Sequence, residues 1–277
     1  MLRSYNTDGV DILAEDWDNL LILDACRYDM FEKHQTLPGT LEHRISRESA
    51  TTDFLMANFR DKEIHDTVYV TANPQLYRNQ DRIQAEFHDV VNIWMEDGWD
   101  ETEGTVLPET VTEYAKQAAS DYPNKRLIVH YIQPHYPFIG ADTTFDKGHL
   151  EGSDDENVWG QLMTGEIDVN KEKIWEVFTN NLEIALPAVE SLMETLSGKT
   201  VVTADHGNMI GERSTPIPVT EWGHPRGTYT DQLVKVPWLT HENGNRRKVV
   251  SEVPLTSENS VDDSVVSERL RNLGYAE

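Results

Sequence analysis

The run Thr200 to Ala204 is β-branched and apolar, the signature of a short buried strand, and it stops abruptly at Asp205-His206-Gly207. In an open parallel α/β sheet, ligands sit in the crevice beyond the carboxyl ends of the strands. A carboxylate and an imidazole at such an end are placed to hold a metal ion or to act on a substrate. Two further runs end in the same manner. Leu20 to Leu23 is continuously apolar and stops at Asp24, so it reads as a buried parallel strand. Leu127 to Ile132 leads into Gln133-Pro134-His135-Tyr136-Pro137-Phe138, where two prolines stiffen the loop that carries His135. His130, inside that strand, reads as a satisfied core group.

The rest of the chain supplies the partners of an α/β fold. Asp66 to Thr71, stopped by Asn73-Pro74, and Phe87 to Trp94 read as strands, and Val234 to Leu239 as a late one. Pro108 to Tyr122 is expected to be a helix with proline near its start. Asn170 to Leu196 is expected to be the longest helix, with Trp175, Phe178, Leu182, Leu186 and Val189 as its apolar stripe and Pro187 as a point of bending. His43 to Asp53 reads as a polar, hydroxyl-rich loop entering a helix that buries Phe54, Leu55 and Phe59. Ile139 to Asp155 reads as a long Gly/Asp-rich loop or lid, and it lacks the regular Asp spacing of a calcium loop. With no repeat and no strong boundary, one α/β domain is expected over residues 1–245. A polar appendage, 246–277, follows it, with a short helix around Val265 to Leu273.

Charge excludes some functions. The 24 Lys and Arg residues against 49 Asp and Glu give a net charge of −25, the opposite of the basic footprint a nucleic-acid binder needs. The acidic residues are spread along the chain, which points to a solvated acidic surface and a halophilic source. In molar salt the Debye length is about 3 Å, so an anionic substrate would feel only local charges. The single cysteine, Cys26, excludes an internal disulfide and a multi-cysteine metal site. No stretch approaches the ~20 apolar residues of a membrane span. Met1 to Trp17 has no signal-peptide core, so a cytoplasmic location is expected.

Asp24, Asp205 and His206 together offer two hard oxygens and one nitrogen, a donor set suited to Zn²⁺, Mn²⁺, Mg²⁺ or Ca²⁺. A hydroxyl from Ser49 would complete the shell, and a metal beside it lowers its pKa enough to make a nucleophile near neutral pH. Ser49 or Thr51 also stands at a helix entry, where backbone N–H groups favour an anion; the structural alternative is a plain helix cap. His135, His224 and Arg226 are candidates to contact the oxygens of a tetrahedral anion, as phosphoryl or sulfuryl transfer requires.

Four stretches carry a resemblance to a known family: Leu21 to Asp29, Ser49 to Thr52, Gln133 to Phe138, and Thr203 to Asn208 with Gly211-Glu212 and Gly223-His224. In them the chain resembles the alkaline phosphatase superfamily, specifically its sulfatase and phosphoglycerol-transferase branch. The resemblance implies a three-layer sandwich, a mostly parallel sheet with helices on both faces. It also implies a metal site from Asp24, Asp205 and His206, Ser49 as nucleophile and metal-facing hydroxyl, Arg27 as the arginine after the first metal ligand, and His135 and His224 near the transferred group. Ser49-Ala50-Thr51-Thr52-Asp53 lacks the Pro and Arg of the motif that is oxidised to formylglycine. An unmodified hydroxyl acting on phosphate esters or diesters fits better, in the order Ser49, Thr51, Ser46. Arg213 stands where a histidine often follows Gly-Glu, which favours one metal over two. The implied activity is a hydrolase or transferase of phosphate or sulfate esters on a small molecule, glycan or lipid headgroup. The alternative is a catalytically degenerate relative that binds a glycan or protein partner.

Overall fold

Leu20, Leu21, Ile22 and Leu23 have no solvent exposure, the condition of a strand covered on both faces. Each such aliphatic side chain contributes about 1.5–3 kcal/mol when fully buried. The computed structural model describes residues 5–95, 97–141, 158–167, 169–213, 218–255 and 263–273. The chain opens with β1 (Asn19–Leu23), α1 (Tyr28–His34), β2 (Thr40–Ile45), α2 (Thr51–Phe59) and β3 (Glu63–Thr71). Next come α3 (Gln75–Arg78), α4 (Gln80–Ile83), β4 (Glu86–Asn92), β5 (Trp99–Asp100), β6 (Thr105–Val106), α5 (Pro108–Asp121) and β7 (Arg126–Tyr131). The second half holds α6 (Val158–Thr164), α7 (Lys171–Thr195), β8 (Gly198–Thr203), β9 (Met209–Arg213) and β10 (Thr220–Gly223). It ends with α8 (Asp231–Val234), β11 (Lys235–Asn243) and α9 (Asp263–Asn272).

Seven strands form one sheet in the order β2-β11-β8-β1-β7-β3-β4. β8, β1, β7, β3 and β4 run parallel, and β11 is antiparallel to both β8 and β2. Strand side chains alternate between faces. Leu21 and Leu23 point into a cluster with Met30 and Phe31 of α1, Val111 and Ala115 of α5, and Phe178 and Leu182 of α7. Leu20 and Ile22 point the other way, onto Phe54, Leu55 and Phe59 of α2 with Leu76 and Ile83. The result is the expected three-layer α/β sandwich with helices on both faces.

Strands read from apolar runs are present, and most polar ones were not foreseen. β2 lies inside what reads as the approach to a polar loop; Glu42, His43 and Arg44 are charged or polar because it is an edge strand paired only with β11. The Asn170 side chain caps α7 by accepting from the Lys173 N–H at 2.7 Å, and the helix runs through Pro187 to Thr195. The stretch after Asn243 closes the base of the sheet: Val250 N–H donates to the Asn124 carbonyl, Arg247 to the Lys125 carbonyl, and Arg246 pairs with Asp16 and Asp18. Val266, Leu270 and Leu273 around α9 are buried in the larger core cluster. Of Ile139 to Asp155, the stretch weighed as a lid or calcium loop, everything after Ala141 lies outside the described residues. Among the described residues no helix is long and apolar enough to cross a membrane.

Candidate active site

Strand register explains why distant residues meet. Ile22 pairs with Thr203 on β8 and with His130 on β7, so Asp24 and Asp205, each two residues further on, emerge side by side at the carboxyl rim. Ala25 then turns the chain in the left-handed region, with φ of 58°, and its N–H donates to Asp205 Oδ1 at 3.1 Å. A non-glycine residue held there costs about 1–3 kcal/mol, a strain characteristic of functional turns. Gly207 is required for a different reason. Its N–H donates to the Leu233 carbonyl at 2.7 Å, and a side chain there would collide with the Gln232 carbonyl oxygen.

Asp24, Asp205 and His206 each contribute a ligand atom to a buried group whose members lie within 4.8 Å of one another. His206 Nε2 is 3.3 Å from Asp205 Oδ2 and 3.7 Å from Asp24 Oδ1. His206 Nδ1 lies 2.7 Å from the Gly207 carbonyl oxygen, which can only accept, so the ring proton sits on Nδ1 and the Nε2 lone pair faces the carboxylates. Asp205 Oδ2 is buried with no hydrogen-bond partner. Burial raises the Asp205 carboxyl above its usual range and pushes His206 down to about 4. Two carboxylates and an imidazole lone pair converging in a dry interior are costly and are what a divalent cation neutralises. The donor set therefore fits a metal, as the sequence implies.

The hydroxyls sort differently from the order the sequence favours. Ala50 is extended and caps α2, so Thr51 is its first helical residue, and Thr51 Oγ1 lies 3.1 Å from His206 Nε2 and 3.5 Å from Asp24 Oδ1. Ser49, the first choice on sequence, donates its hydroxyl to the Pro225 carbonyl at 2.8 Å. Ser46 donates to the Asp205 main-chain carbonyl at 2.5 Å. The offset follows from the helix starting at Thr51: Ser49 precedes the cap and turns toward the 225 loop.

His135 and His224 meet beside this cluster, Nε2 to Nε2 at 3.3 Å, and the His224 ring lies 4.6 Å from that of His206. His135 Nδ1 is 2.7 Å from the Tyr136 carbonyl, so its Nε2 accepts and His224 Nε2 is the donor. Burial first, then the neighbouring imidazoles, hold both rings well below the usual histidine range, hence neutral. Arg27 is less available than the sequence suggests. Its Nε and Nη2 bind Asp29 and its Nη1 binds Glu212 and the Asn208 carbonyl, while its guanidinium stacks 4.9 Å from the Trp175 ring. It ties the Asp24 turn to β9. Arg226 pairs with Asp53 at 3.3 Å.

Three side chains at the rim escaped the sequence reading. Asn73, read only as a strand stop, donates to Asp24 Oδ2 at 2.7 Å. Asn181 of α7, inside an apolar stripe, donates to the carbonyls of Pro134, His135 and Pro137 and accepts from the Ile139 N–H, fixing the His135 loop. His130, read as a satisfied core group, has its Nε2 unpartnered and 3.9 Å from Asp24 Oδ2. Asn73 stands at a strand end, as Asp24 does, and a buried amide in an apolar stripe is itself a signal; both could have been found.

No family model and no curated protein sequence matches the chain. Solved structures do. The C-terminal periplasmic domain of EcEptC from Escherichia coli, in complex with Zn, is 14% identical, with 85% of this chain and 76% of that chain covered at a TM-score of 0.48. The soluble domain of lipooligosaccharide phosphoethanolamine transferase A from Neisseria meningitidis is 10% identical, with 80% and 75% covered at 0.49. The phosphonate monoester hydrolase from Silicibacter pomeroyi is 14% identical, with 92% and 72% covered at 0.48.

Proposed function

We propose that this chain is a metal-dependent hydrolase or transferase of phosphate or sulfate esters, with Thr51 rather than Ser49 as its nucleophile. The observation that carries the reading is the Thr51 hydroxyl, 3.1 Å from His206 Nε2 and 3.5 Å from Asp24 Oδ1, at the first residue of α2. Asp24, Asp205 and His206 would hold the cation, which when bound supplies positive charge beside that hydroxyl and lowers its pKa. Asn73 holds Asp24 in place by its 2.7 Å hydrogen bond. The amino-terminal end of α2 presents positive partial charge to the oxygens of the transferred group. His224, neutral with its proton on Nε2, is placed to donate a hydrogen bond to an oxygen of the ester, while Asn181 keeps His135 in register. Arg27 acts as a brace through Asp29 and Glu212.

The ester belongs to a small molecule, a glycan or a lipid headgroup. With a net charge of −25 the protein repels an anionic ester in dilute buffer, so its KM is expected to fall as salt rises. The test pairs metal analysis with turnover of p-nitrophenyl phosphate, bis-p-nitrophenyl phosphate and p-nitrophenyl sulfate at high salt. Thr51→Ala is expected to lower turnover by ~10³-fold or more, and Ser49→Ala by no more than a few-fold. The reverse order would return the nucleophile to Ser49. Metal bound by the wild type without turnover of any ester would favour a binding protein instead.

A further inference from the structure

We propose that Tyr69 and His130 form a positioning pair beneath the cation site, with the Tyr69 hydroxyl donating to His130 Nδ1 so that the His130 Nε2 proton faces the two metal-binding carboxylates. The inference rests on the cation site proposed above. Register puts His130 of β7 level with Ile22, one layer below Asp24 on the same face of the sheet, and its ring reaches up to the rim. Both side chains are fully buried, and Nδ1 lies 2.7 Å from the Tyr69 hydroxyl oxygen. Nε2 has no hydrogen-bond partner; it stands 3.9 Å from Asp24 Oδ2 and 4.0 Å from Asp205 Oδ2, which is itself unpartnered.

The tautomer follows from what each atom must do. A buried phenol needs an acceptor for its proton, and His130 Nδ1 is in place. The opposite tautomer would leave that proton without a partner and aim a lone pair at two carboxylates. The Tyr69 ring is fixed by Phe59 and Phe87, with centroids 5.9 Å and 5.1 Å away, so the donor direction is set by packing. Nε2–H then presents a dipole to Asp24 Oδ2 and Asp205 Oδ2 without adding a positive charge that would compete with a cation. His130 thus steadies the ligand carboxylates without itself binding the cation, as the outer partners of metal sites do.

The experiment titrates the metal-free protein with Zn²⁺ or Mn²⁺ against a chelating indicator. Loss of such an outer partner typically costs 10–100-fold in metal affinity. His130→Leu is expected to weaken binding in that range, His130→Gln, which keeps an N–H donor, to recover most of it, and Tyr69→Phe to weaken it less than His130→Leu. Thermal melts of the metal-free variants check folding; should His130→Leu fail to fold, His130→Gln and Tyr69→Phe carry the test. Wild-type affinity in His130→Leu, or in Tyr69→Phe where the leucine variant does not fold, overturns the proposal. So does a Co²⁺ absorption spectrum that changes in band position on His130→Gln, because the imidazole would then itself be a ligand. A wild-type protein that binds no divalent cation would instead overturn the cation site, a result distinct from equal binding by wild type and variant.

Discussion

At the amino-terminal ends of β1 and β8, Asp16 and Asp18 meet Arg246, and Lys199 adds a second cation to Asp16 at 3.2 Å. Lys125, just before β7, pairs with Glu252 at 2.9 Å. At the carboxyl ends of the same strands, Asp24 and Asp205 are fully buried against imidazoles, and the nearby Arg27 is turned away onto Asp29 and Glu212. One end of the sheet is matched charge for charge and the other holds carboxylates without a full counterion. The contrast indicates what each end is for: the base fastens the tail to the sheet, and the rim stores an unfavourable arrangement that a bound cation relieves. Binding to the native state alone then adds stability in proportion to RT ln(1 + [L]/Kd).

The largest expected effect breaks the rim. Asp205→Asn removes a ligand and a buried charge while keeping an oxygen for the N–H groups of Ala25 and His206. Metal binding is expected to be lost and kcat/KM to fall by at least ~10²–10³-fold, the cost of losing one preorganised charge-stabilising group. The metal-free variant should be more stable than metal-free wild type by ~1–3 kcal/mol, since a desolvated charge with an unpartnered oxygen is gone. Calorimetry with and without EDTA reads both; full activity in this variant would refute the site.

A smaller effect breaks the base. Arg246→Ala leaves Asp18, which is 2% exposed, with only its bond to the Lys199 N–H at 2.7 Å. Unfolding should become easier by ~1–3 kcal/mol, while metal affinity and kcat stay at wild-type values. Changed kcat would show that the two ends are coupled, contrary to the comparison.

How much was legible follows the same division. Apolar runs that stop on Asp24, on Asp205 and on the Gln133-Pro134-His135 loop announce a parallel sheet and its rim, because full burial on both faces leaves an unbroken hydrophobic signal. The buried grouping of Asp24, Asp205 and His206 was readable for that reason. β2 was not, since an edge strand exposed on one side carries Glu42, His43 and Arg44 and looks like loop. That the Thr51 hydroxyl, and not that of Ser49, lies beside His206 depends on the starting residue of α2, and a helix boundary is uncertain by a residue or two when read from sequence. His130 was misjudged for a related reason: a histidine within an apolar run reveals its depth but not which layer of the neighbouring strands its ring touches. The fastening of the tail depended on pairs such as Arg246 with Asp16, 230 residues apart, which no local pattern encodes.

The smallest effect sharpens the comparison through pH, because carboxylates at the two ends shift in opposite directions. Near the rim, burial raises Glu48 from its ordinary 4.5 to about 7, with Asp53 adding to the rise and the Tyr229 hydroxyl opposing it. The folded state holds that proton more tightly, so the contribution is fully present below pH 4.5 and is lost as pH rises through 7. At the base, Arg246 and Lys199 lower Asp16 from 3.8 to about 2, so its contribution is present above 3.8 and is lost as pH falls through 2. Glu48→Gln keeps an acceptor for Tyr229 and should flatten the decline in melting temperature between pH 4.5 and 7. Asp16→Asn should leave that window unchanged and flatten the loss between pH 4 and 2. Melting curves of metal-free protein across both windows separate the two, and an unaltered slope in Glu48→Gln would mean that the buried rim carboxylate is ionised at little cost. Because Asp16 is exposed, its effect should also shrink in molar salt, where screening reaches about 3 Å, while that of buried Glu48 persists.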